Sequence, residues 1–409
     1  MNLTNLKNMN KSSTAPERGT RPRNRRALIL AAAGELFAQK GYAQVSMTDV
    51  AKAMAVQPSA LYRHFPSKGE LLRETVVASL QPVLDSVTQT PDGDLEQLIT
   101  ALGRAVMEHR ENGVLWERES RHLPPATRFD IASGIKFAIS SKLQSGSYAL
   151  PASEADLRAW AMFAVMISVL LNPNRLSRVD EEFQLATLAR AVLVMPLPPI
   201  EASGNHRRAS IAMPRSRREA LLAASIRQFA AFGFDAVSLD DIGAEVGVAG
   251  PSIYRHFDSK AEMLAAALHR AKEVRWMDMW RALSEAADAS EALQRILSSY
   301  IAFSLGSPEF LQLAVSERPH LPERDLQNLM EAQGDYVTDL ASLVEDVYPG
   351  ADQEVVRTRV KAALHVISSV VRTPFLRDIR GIQEILEHIA RGLIAPTTDH
   401  GGLSSIPQK

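Results

Sequence analysis

The apolar positions of this chain recur with the spacing of an amphipathic α-helix. Met47, Val50, Ala51 and Met54 follow the i, i+3, i+4, i+7 pattern, and a matching set begins at Leu239 with Ile242, Gly243 and Val246. This spacing places the side chains on one face of a helix. No segment shows the strict alternation of a half-buried strand. The pattern therefore predicts an all-α protein in which helices pack on helices.

The longest apolar run, residues 159–171, is 13 residues long and predicts a buried helix, because a membrane-spanning helix needs about 20 residues. Residues 1–19 are polar and lack the apolar core of a signal peptide. The chain has no cysteine, which excludes disulfides, thiolate metal sites and cysteine nucleophiles. We therefore expect a cytoplasmic protein without a membrane partner.

The helical pattern occurs twice. At a constant offset of 192, residues 25–72 align with residues 217–264 without a gap, with 20 identities in 48 positions. The similarity continues at offset 198 ("RHLPP" and "PHLPE"), at 200 ("ISVLLN" and "ISSVVR") and at 201 ("LARAVL" and "IARGLI"). The chain is therefore predicted to consist of two repeats of one helical unit, joined by a linker rich in proline, glycine, serine and arginine.

The predicted boundaries follow from this alignment. Flexible tails are expected at residues 1–24 and 396–409, and a linker at 196–214. Helix-turn-helix domains are expected at 25–72 and 215–264, and larger helical domains at 73–195 and 265–395.

Each repeat begins with two helix-start signals. Ser46 with Asp49, and Ser238 with Asp241, have the spacing of a capping box, and Ser67 with Glu70 and Ser259 with Glu262 match that motif fully. Between the two signals lies a tight turn, at 56–58 or 248–250, followed by a short helix. The arrangement predicts a helix-turn-helix.

The second short helix has a polar outer face. On a helical wheel Leu61 and Phe65 point inward, while the opposite face carries small residues, one arginine, a tyrosine and a histidine. Small residues allow close approach to a major groove, arginine can bind guanine, and Tyr and His can donate to phosphates. The candidate DNA contacts are Thr48, Pro58, Ser59, Ala60, Tyr62, Arg63, His64 and Lys68, with Gly250, Pro251, Ser252, Tyr254, Arg255, His256 and Lys260.

The two lysines of this set occupy an unfavourable place. Lys68 and Lys260 each follow a serine cap, where a cation opposes the helix dipole, so a phosphate partner is expected there. Each candidate also has a purely structural interpretation. Tyr and His can pack in a small helical domain, arginine can be a solvated surface residue, and lysine can simply decorate a helix end.

The two segments "SMTDVAKAMAVQPSALYRHFPSKGELL" and "SLDDIGAEVGVAGPSIYRHFDSKAEML" resemble the DNA-binding domain of TetR-type (tetracycline-repressor-like) transcriptional regulators. The resemblance covers about 48 residues of each repeat. It implies that the remaining helices form a ligand pocket and a dimerisation bundle, and that ligand binding releases the operator. Members of that family generally act as homodimers on palindromic sites.

Charge distinguishes the two repeats, although the net charge of the chain is −1. Residues 1–72 carry 11 Lys and Arg against 4 Asp and Glu, whereas residues 205–264 carry 8 against 7. The basic residues of the N-terminal tail suit a DNA backbone or a minor groove, or a merely solvated tail. The first repeat is expected to supply more of the salt-dependent DNA affinity.

The larger helical domains offer candidates for an effector site, each with ordinary core packing as the alternative. They are Trp116, His122, Phe129, Phe137, Trp160, Phe163 and Met166, with Phe303, Phe310, His320, Tyr336 and His365. For the paired His122 and His320, a structural role is equally compatible. Aromatic and methionine side chains favour an apolar or amphipathic small molecule. No phosphate-binding loop or catalytic motif is present, so neither an enzyme nor a cofactor is expected.

Two joined repeats predict a single-chain pseudo-dimer on two unequal DNA half-sites. Its interface is expected between helices 154–171 and 181–195 of the first repeat and helices 354–372 and 382–395 of the second. One alternative is a homodimer of the whole chain with four helix-turn-helix segments. Another is a ligand-binding or partner-binding protein whose helix-turn-helix segments no longer contact DNA.

Overall fold

The computed structural model describes residues 24–145, 149–171, 176–200, 214–248 and 250–395. These residues form helices and contain no β-strand, which confirms the all-α prediction. The predicted N-terminal and C-terminal tails and most of the predicted linker lie outside the described residues.

The helix bounds are as follows. In the first repeat they are α1 (Arg25–Lys40), α2 (Met47–Ala53), α3 (Pro58–Tyr62), α4 (Lys68–Gln89), α5 (Leu95–Glu108), α6 (Arg110–Glu119), α7 (Pro125–Gln144), α8 (Ala152–Leu171) and α9 (Arg178–Val194). In the second repeat they are α10 (Arg217–Phe232), α11 (Leu239–Glu245), α12 (Gly250–Ile253), α13 (Lys260–Glu285), α14 (Ala289–Gly306), α15 (Pro308–Ser316), α16 (Glu323–Val347), α17 (Gln353–Val371), α18 (Pro374–Arg377) and α19 (Ile382–Ile394). Short 3₁₀ helices follow α6 and α15, at Ser120–His122 and Arg318–His320.

Contacts divide the chain into two compact units. The first comprises the residues up to Leu84 together with His109–Ala132, and the second comprises Asp85–Glu108 together with the residues from Ser133 onward. In the first unit, α1 packs against α2 and α6, and α2 packs against α3. Its core is apolar, with Ile29, Ala33, Phe37, Val50, Leu61, Phe65, Leu71 and Leu72 at most 2% exposed.

The second unit holds the second helix-turn-helix segment, α10 to α12, with the helices that follow it. Leu221, Phe229, Ile253 and Phe257 are buried in one cluster with Leu313 of α15. The helix-turn-helix core is therefore continuous with the first helices of the larger domain.

The same unit contains a four-helix association between the two repeats. α8 packs lengthwise against α17, and α9 packs against α19, while α8 with α9 and α17 with α19 pack within their own repeats. Most of α8 between Leu157 and Val169 is buried, as is most of α17. These are the helices for which the sequence indicated an interface.

A buried arginine closes the last helix of each repeat. Arg158 of α8 donates to the carbonyl oxygens of Val192 at 2.5 Å and of Leu193 and Met195 at 3.0 Å, and it pairs with Glu154. Arg359 of α17 donates to the carbonyl of Ala395 in the same way. Burial lowers the pKa of both guanidinium groups. The two arginines satisfy carbonyl groups at the ends of α9 and α19 that have no partner within those helices.

Candidate nucleic-acid interface

The helix that opens each helix-turn-helix is fixed by a capping box. Asp49 donates its backbone N–H to the Ser46 hydroxyl at 3.1 Å, and its carboxylate accepts from the Ser46 N–H at 2.8 Å. Ser238 and Asp241 repeat the geometry with the same two distances. The hydrogen bonds from Ser46 and Ser238 hold the pKa of the two carboxyl groups below its usual range. The capping boxes predicted at these positions are confirmed.

The second helix of the first motif, α3, presents the predicted polar face. Leu61 and Phe65 are fully buried, whereas Ser59, Tyr62, Arg63 and His64 are exposed. Pro58 and Ala60 are half-buried, and Thr48 is exposed on α2. The helix is thus anchored by its inner residues and leaves its outer face open to a large partner.

The second motif repeats this arrangement on α12 and the turn that follows it. Ile253 and Phe257 are buried, Tyr254 and Arg255 are exposed, and Ser252 and His256 are half-buried. Gly250 and Pro251 are the first two residues of α12. Asp240, at the position of Thr48, is exposed.

The exposed arginines are available for binding. The guanidinium groups of Arg63 and Arg255 have no ion pair and no hydrogen bond with another described residue. Exposed guanidinium groups just after a short helix are suited to guanine or phosphate, which they can bind through two parallel N–H donors.

A surface cavity of about 500 Å³ lies beside this face in the first motif. Its lining is formed by the start of α2, the start of α4 and Tyr62, and it includes Ser46, Ser67 and Lys68. An amino end of a helix with a lysine beside it attracts anions, so the cavity is suited to a backbone phosphate.

The two lysines also have partners within the protein. Lys68 Nζ lies 3.4 Å from the carbonyl oxygen of Ala43 and 4.1 Å from the ring centre of Tyr42. Lys260 Nζ donates to the carbonyls of Phe234 and Val237 at 2.8 and 2.7 Å. The lysines therefore hold the loop between the first two helices of each repeat, α1 and α2 or α10 and α11. A phosphate is not needed to explain their position, and their contact with DNA stays a prediction.

The paired histidines, predicted as effector contacts or as structural residues, lie against the loop between the first two helices of each repeat. The ring of His122 is 4.8 Å from that of Tyr42, and the ring of His320 stacks on Phe234 at 4.6 Å. Their placement supports the structural alternative. We call each pair of a histidine and its aromatic neighbour, together with the buried glutamate described next, an aromatic junction.

A buried glutamate completes each aromatic junction. Glu119 accepts the backbone N–H of Tyr42 at 2.8 Å, and Glu317 accepts that of Phe234 at 3.1 Å. The two glutamates are 1% and 6% exposed. Sequence reasoning missed them, although each precedes the repeated histidine by three residues, which was a detectable signal.

The other effector candidates of the first repeat are divided between the two compact units. In the first unit Trp116 is buried, while Phe129 is 48% exposed. In the second unit Phe163 and Met166 are buried, and Phe137 is 73% exposed. An effector site among these residues stays a prediction.

Trp160, another effector candidate, belongs to the contact between the repeats. Its indole N–H donates to the Ser369 hydroxyl at 2.9 Å, and its ring meets Phe375 edge-on at 6.1 Å. These contacts place Trp160 at this interface, and its part in an effector site stays a prediction. Helical periodicity identified the buried face but not what covers it.

In the second repeat the candidates form separate aromatic groups. Phe303 and Phe310 stack at 5.8 Å. Tyr336 packs edge-on against Trp276 at 5.7 Å and lies 6.5 Å from Tyr300, and burial raises the pKa of its hydroxyl. His365 is half-buried on α17. An effector site among these residues stays a prediction. Within the described ranges, no group of His, Asp and Glu side chains could hold a metal ion.

Comparison with known proteins bears directly on the two helix-turn-helix segments. The family described as bacterial regulatory proteins of the tetR family matches residues 29–75 and again residues 221–267. Both matches include the helix-turn-helix and the start of the helix that follows it. The two repeats thus match one and the same family.

Similarity to individual proteins is partial. The chain is 28% identical over 123 residues to the HTH-type transcriptional repressor KstR2 of Mycolicibacterium smegmatis, covering 28% of this chain and 60% of that protein. It is 30% identical over 101 residues to the HTH-type transcriptional activator FasR of the same organism, covering 25% and 46%. The match spans 56–60% of the length of the KstR2 relatives.

Among solved structures, KstR2 of Mycobacterium tuberculosis is 20% identical with a TM-score of 0.33, covering 36% of this chain and 78% of that one. The fatty acid degradation regulator FadR of Bacillus halodurans is 15% identical with a TM-score of 0.38, covering 47% and 99%. No helix in the described part of the chain is long and apolar enough to cross a membrane. The domain model of the tetR family of bacterial regulatory proteins thus matches this chain at two places, once in each repeat.

Proposed function

We propose that the protein is a DNA-binding transcriptional regulator that acts as a single-chain pseudo-dimer on two unequal half-sites. The observation that carries this proposal is the surface formed, in each repeat, by α3 or α12 and the turn that follows it. Each has an exposed tyrosine and an exposed arginine without a described partner, above a buried aliphatic residue and a buried phenylalanine. An unpaired guanidinium in this place in both repeats is suited to reading a major groove.

The two reading faces differ, so the two half-sites are expected to differ. Pro58, Ser59 and Ala60 lead into Arg63, whereas Gly250, Pro251 and Ser252 lead into Arg255. Residues at the start of a recognition helix contact base edges, so these differences change the sequence that is read. We propose an operator with two dissimilar half-sites about one helical turn apart.

The four-helix association supports pairing within one chain. α8 and α9 of the first repeat already pack against α17 and α19 of the second. The 19 residues of the predicted linker span roughly 24 Å as a coil and about 60 Å when extended. A linker of this kind gives the second repeat an effective concentration in the millimolar range.

We further propose that the regulator responds to a small apolar or amphipathic effector and represses transcription. Relatives of this chain are named as transcriptional repressors and, in one case, as an activator. The aromatic junctions connect the loop between the first two helices of each repeat to the ends of α6 and α15, through Glu119 and Glu317. A shift of these helices on effector binding would move the loop and, with it, the recognition helix.

The test is a footprint of the effector-free protein on DNA upstream of its own gene. Wild-type protein is expected to protect two dissimilar half-sites. Arg63→Ala should weaken one half-site and Arg255→Ala the other, each by roughly 5-fold to 150-fold. Arg324→Ala, an exposed arginine on α16, is the control and should leave both half-sites protected.

Other outcomes would favour other functions. A palindromic footprint with a mass of two chains would indicate the four-headed homodimer. Absence of protection at low salt, on this DNA and on a library of operators, would indicate that the helix-turn-helix segments no longer bind DNA.

A further inference from the structure

The contact between α8 and α17 is not the same on its two sides. At the offset of 200 that aligns these helices, Trp160 of the first repeat corresponds to Val360, and Val169 corresponds to Ser369. Position 160 contacts position 369 across the interface, through an indole and a hydroxyl. The residues that correspond to these two positions in the opposite repeats are both valines, which cannot form this hydrogen bond.

The indole side contains a hydrogen bond that depends on this asymmetry. Trp160 is 8% exposed, and its Nε1 donates to Ser369 Oγ at 2.9 Å. Val360 and Val169 are at most 1% exposed and offer neither a donor nor an acceptor in their side chains. Among the described residues, the side chain that accepts the indole N–H comes from the other repeat.

A second contact also joins the first repeat to the second. Lys136 Nζ, on α7, lies 4.0 Å from the ring centre of Phe375 and 5.9 Å from that of Trp160, and 3.4 Å from the Asp156 carboxylate. The offset of 198 to 200 places its counterpart among Gly334, Asp335 and Tyr336, none of which is a cation. In a pairing of two second repeats, the Phe375 ring would therefore lack this cation.

We propose that these contacts make the interface selective for the unlike repeat, so that each chain pairs with itself and not with a second copy. Between two first repeats, both Trp160 side chains would face Val169 of the other copy, and two indole N–H groups would be buried without an acceptor. Between two second repeats, both Ser369 hydroxyls would face Val360, without an indole to fill the space. Each buried donor left unpaired disfavours the like pairing by about ten-fold or more.

This inference rests on the proposed pseudo-dimer, but its test needs no DNA, so failure of DNA binding would not be mistaken for failure of the pairing. Two full-length chains with different affinity tags are co-expressed and purified on one tag. The fraction carrying the second tag is then measured. Native mass is measured in parallel at micromolar concentration, well below the millimolar effective concentration that the linker provides. Wild-type protein is expected at 44.9 kDa without the second tag.

Two variants should weaken the selectivity by opposite routes. Ser369→Ala removes the acceptor from the unlike pairing, and Val169→Ser supplies an acceptor to the pairing of two first repeats while leaving Ser369 in place. Both should raise the doubly tagged fraction by about ten-fold. Ser368→Ala is the matched control, since this neighbouring hydroxyl is buried and has no hydrogen-bond partner among the described residues.

The results have clear meanings. A rise in the doubly tagged fraction for Ser369→Ala and Val169→Ser, but not for Ser368→Ala, supports the proposal. A wild-type chain that already carries both tags overturns it. So do variants that stay folded by circular dichroism and remain at the level of the Ser368→Ala control.

Discussion

At the scale of single residues, the buried glutamates Glu119 and Glu317 connect the loop between the first two helices of each repeat to the ends of α6 and α15. Replacing either with alanine would leave a backbone N–H, of Tyr42 or Phe234, without its acceptor. We expect each substitution to lower the free energy of unfolding by about 1.5–3 kcal/mol, because the acceptor is charged and buried. Urea denaturation followed by circular dichroism measures this change.

The control for this prediction is Glu331→Ala, an exposed glutamate on α16, which should change stability by less than about 0.5 kcal/mol. Glu119→Gln and Glu317→Gln keep an acceptor oxygen and should lose less than the alanine variants. Equal losses for Glu331 and Glu119 would show that the junction carboxylates do not stabilise the fold.

The capping aspartates predict how stability depends on pH. The pKa of Asp49 and of Asp241 is lower in the folded protein than in the unfolded chain, because each carboxylate accepts hydrogen bonds from a serine. Below the unfolded value of about 3.9 the unfolded chain binds more protons, so this stabilisation is lost as the pH falls through the folded pKa. Thermal unfolding between pH 5 and about pH 2 should therefore show a smaller loss for Asp49→Asn and Asp241→Asn than for wild type. An unchanged pH slope in both variants would contradict this account.

At the scale of elements, α9 depends on an arginine from another helix. Arg158 donates to three carbonyl oxygens at the end of α9, and an apolar side chain such as Met would leave those oxygens without donors. We expect Arg158→Met to cost about 3–5 kcal/mol, and Arg158→Lys to recover only part of that, because an ammonium lacks the planar set of donors. Chemical denaturation gives both values.

A surface arginine provides the comparison for Arg158. Arg178 is exposed and pairs with Glu182 within α9, so Arg178→Ala should cost less than about 1 kcal/mol. If Arg158→Met were no worse than Arg178→Ala, the carbonyl contacts would not stabilise the end of α9.

The same scale shows how far the sequence could predict this structure. Local capping signals predicted the helix starts at Ser46, Ser238 and Ser259, and a hydrophobic period of 3.6 predicted the interface helices. Both signals depend on residues that are close in the sequence. The sequence did not predict the partners of Trp160, Lys68 and His122. A helical pattern identifies a buried face, but whether a ligand, a loop or another repeat covers that face depends on residues distant in the sequence.

At the scale of the whole molecule, the repeats are joined in two ways, by a covalent linker and by the packing of α8 and α9 on α17 and α19. Hydrophobic burial along these helices does not require the linker, which serves to raise the effective concentration. The two contributions can be separated by cutting the chain between the repeats, where residues 201–213 lie outside the described structure.

We predict that a chain cut at a protease site inserted at 201–213 stays assembled. Its two fragments should elute together with the mass of the intact chain at micromolar concentration, because the buried helices hold them. On dilution the cut protein should dissociate and lose DNA binding, whereas the intact chain should retain it, since only the intact chain keeps the millimolar effective concentration. Size-exclusion chromatography with light scattering, followed by a DNA titration at each dilution, measures both effects. The cut Ser369→Ala chain should dissociate at a higher concentration than the cut Ser368→Ala chain. Fragments that separate at once would show that the linker alone, and not the four-helix packing, keeps the two repeats together.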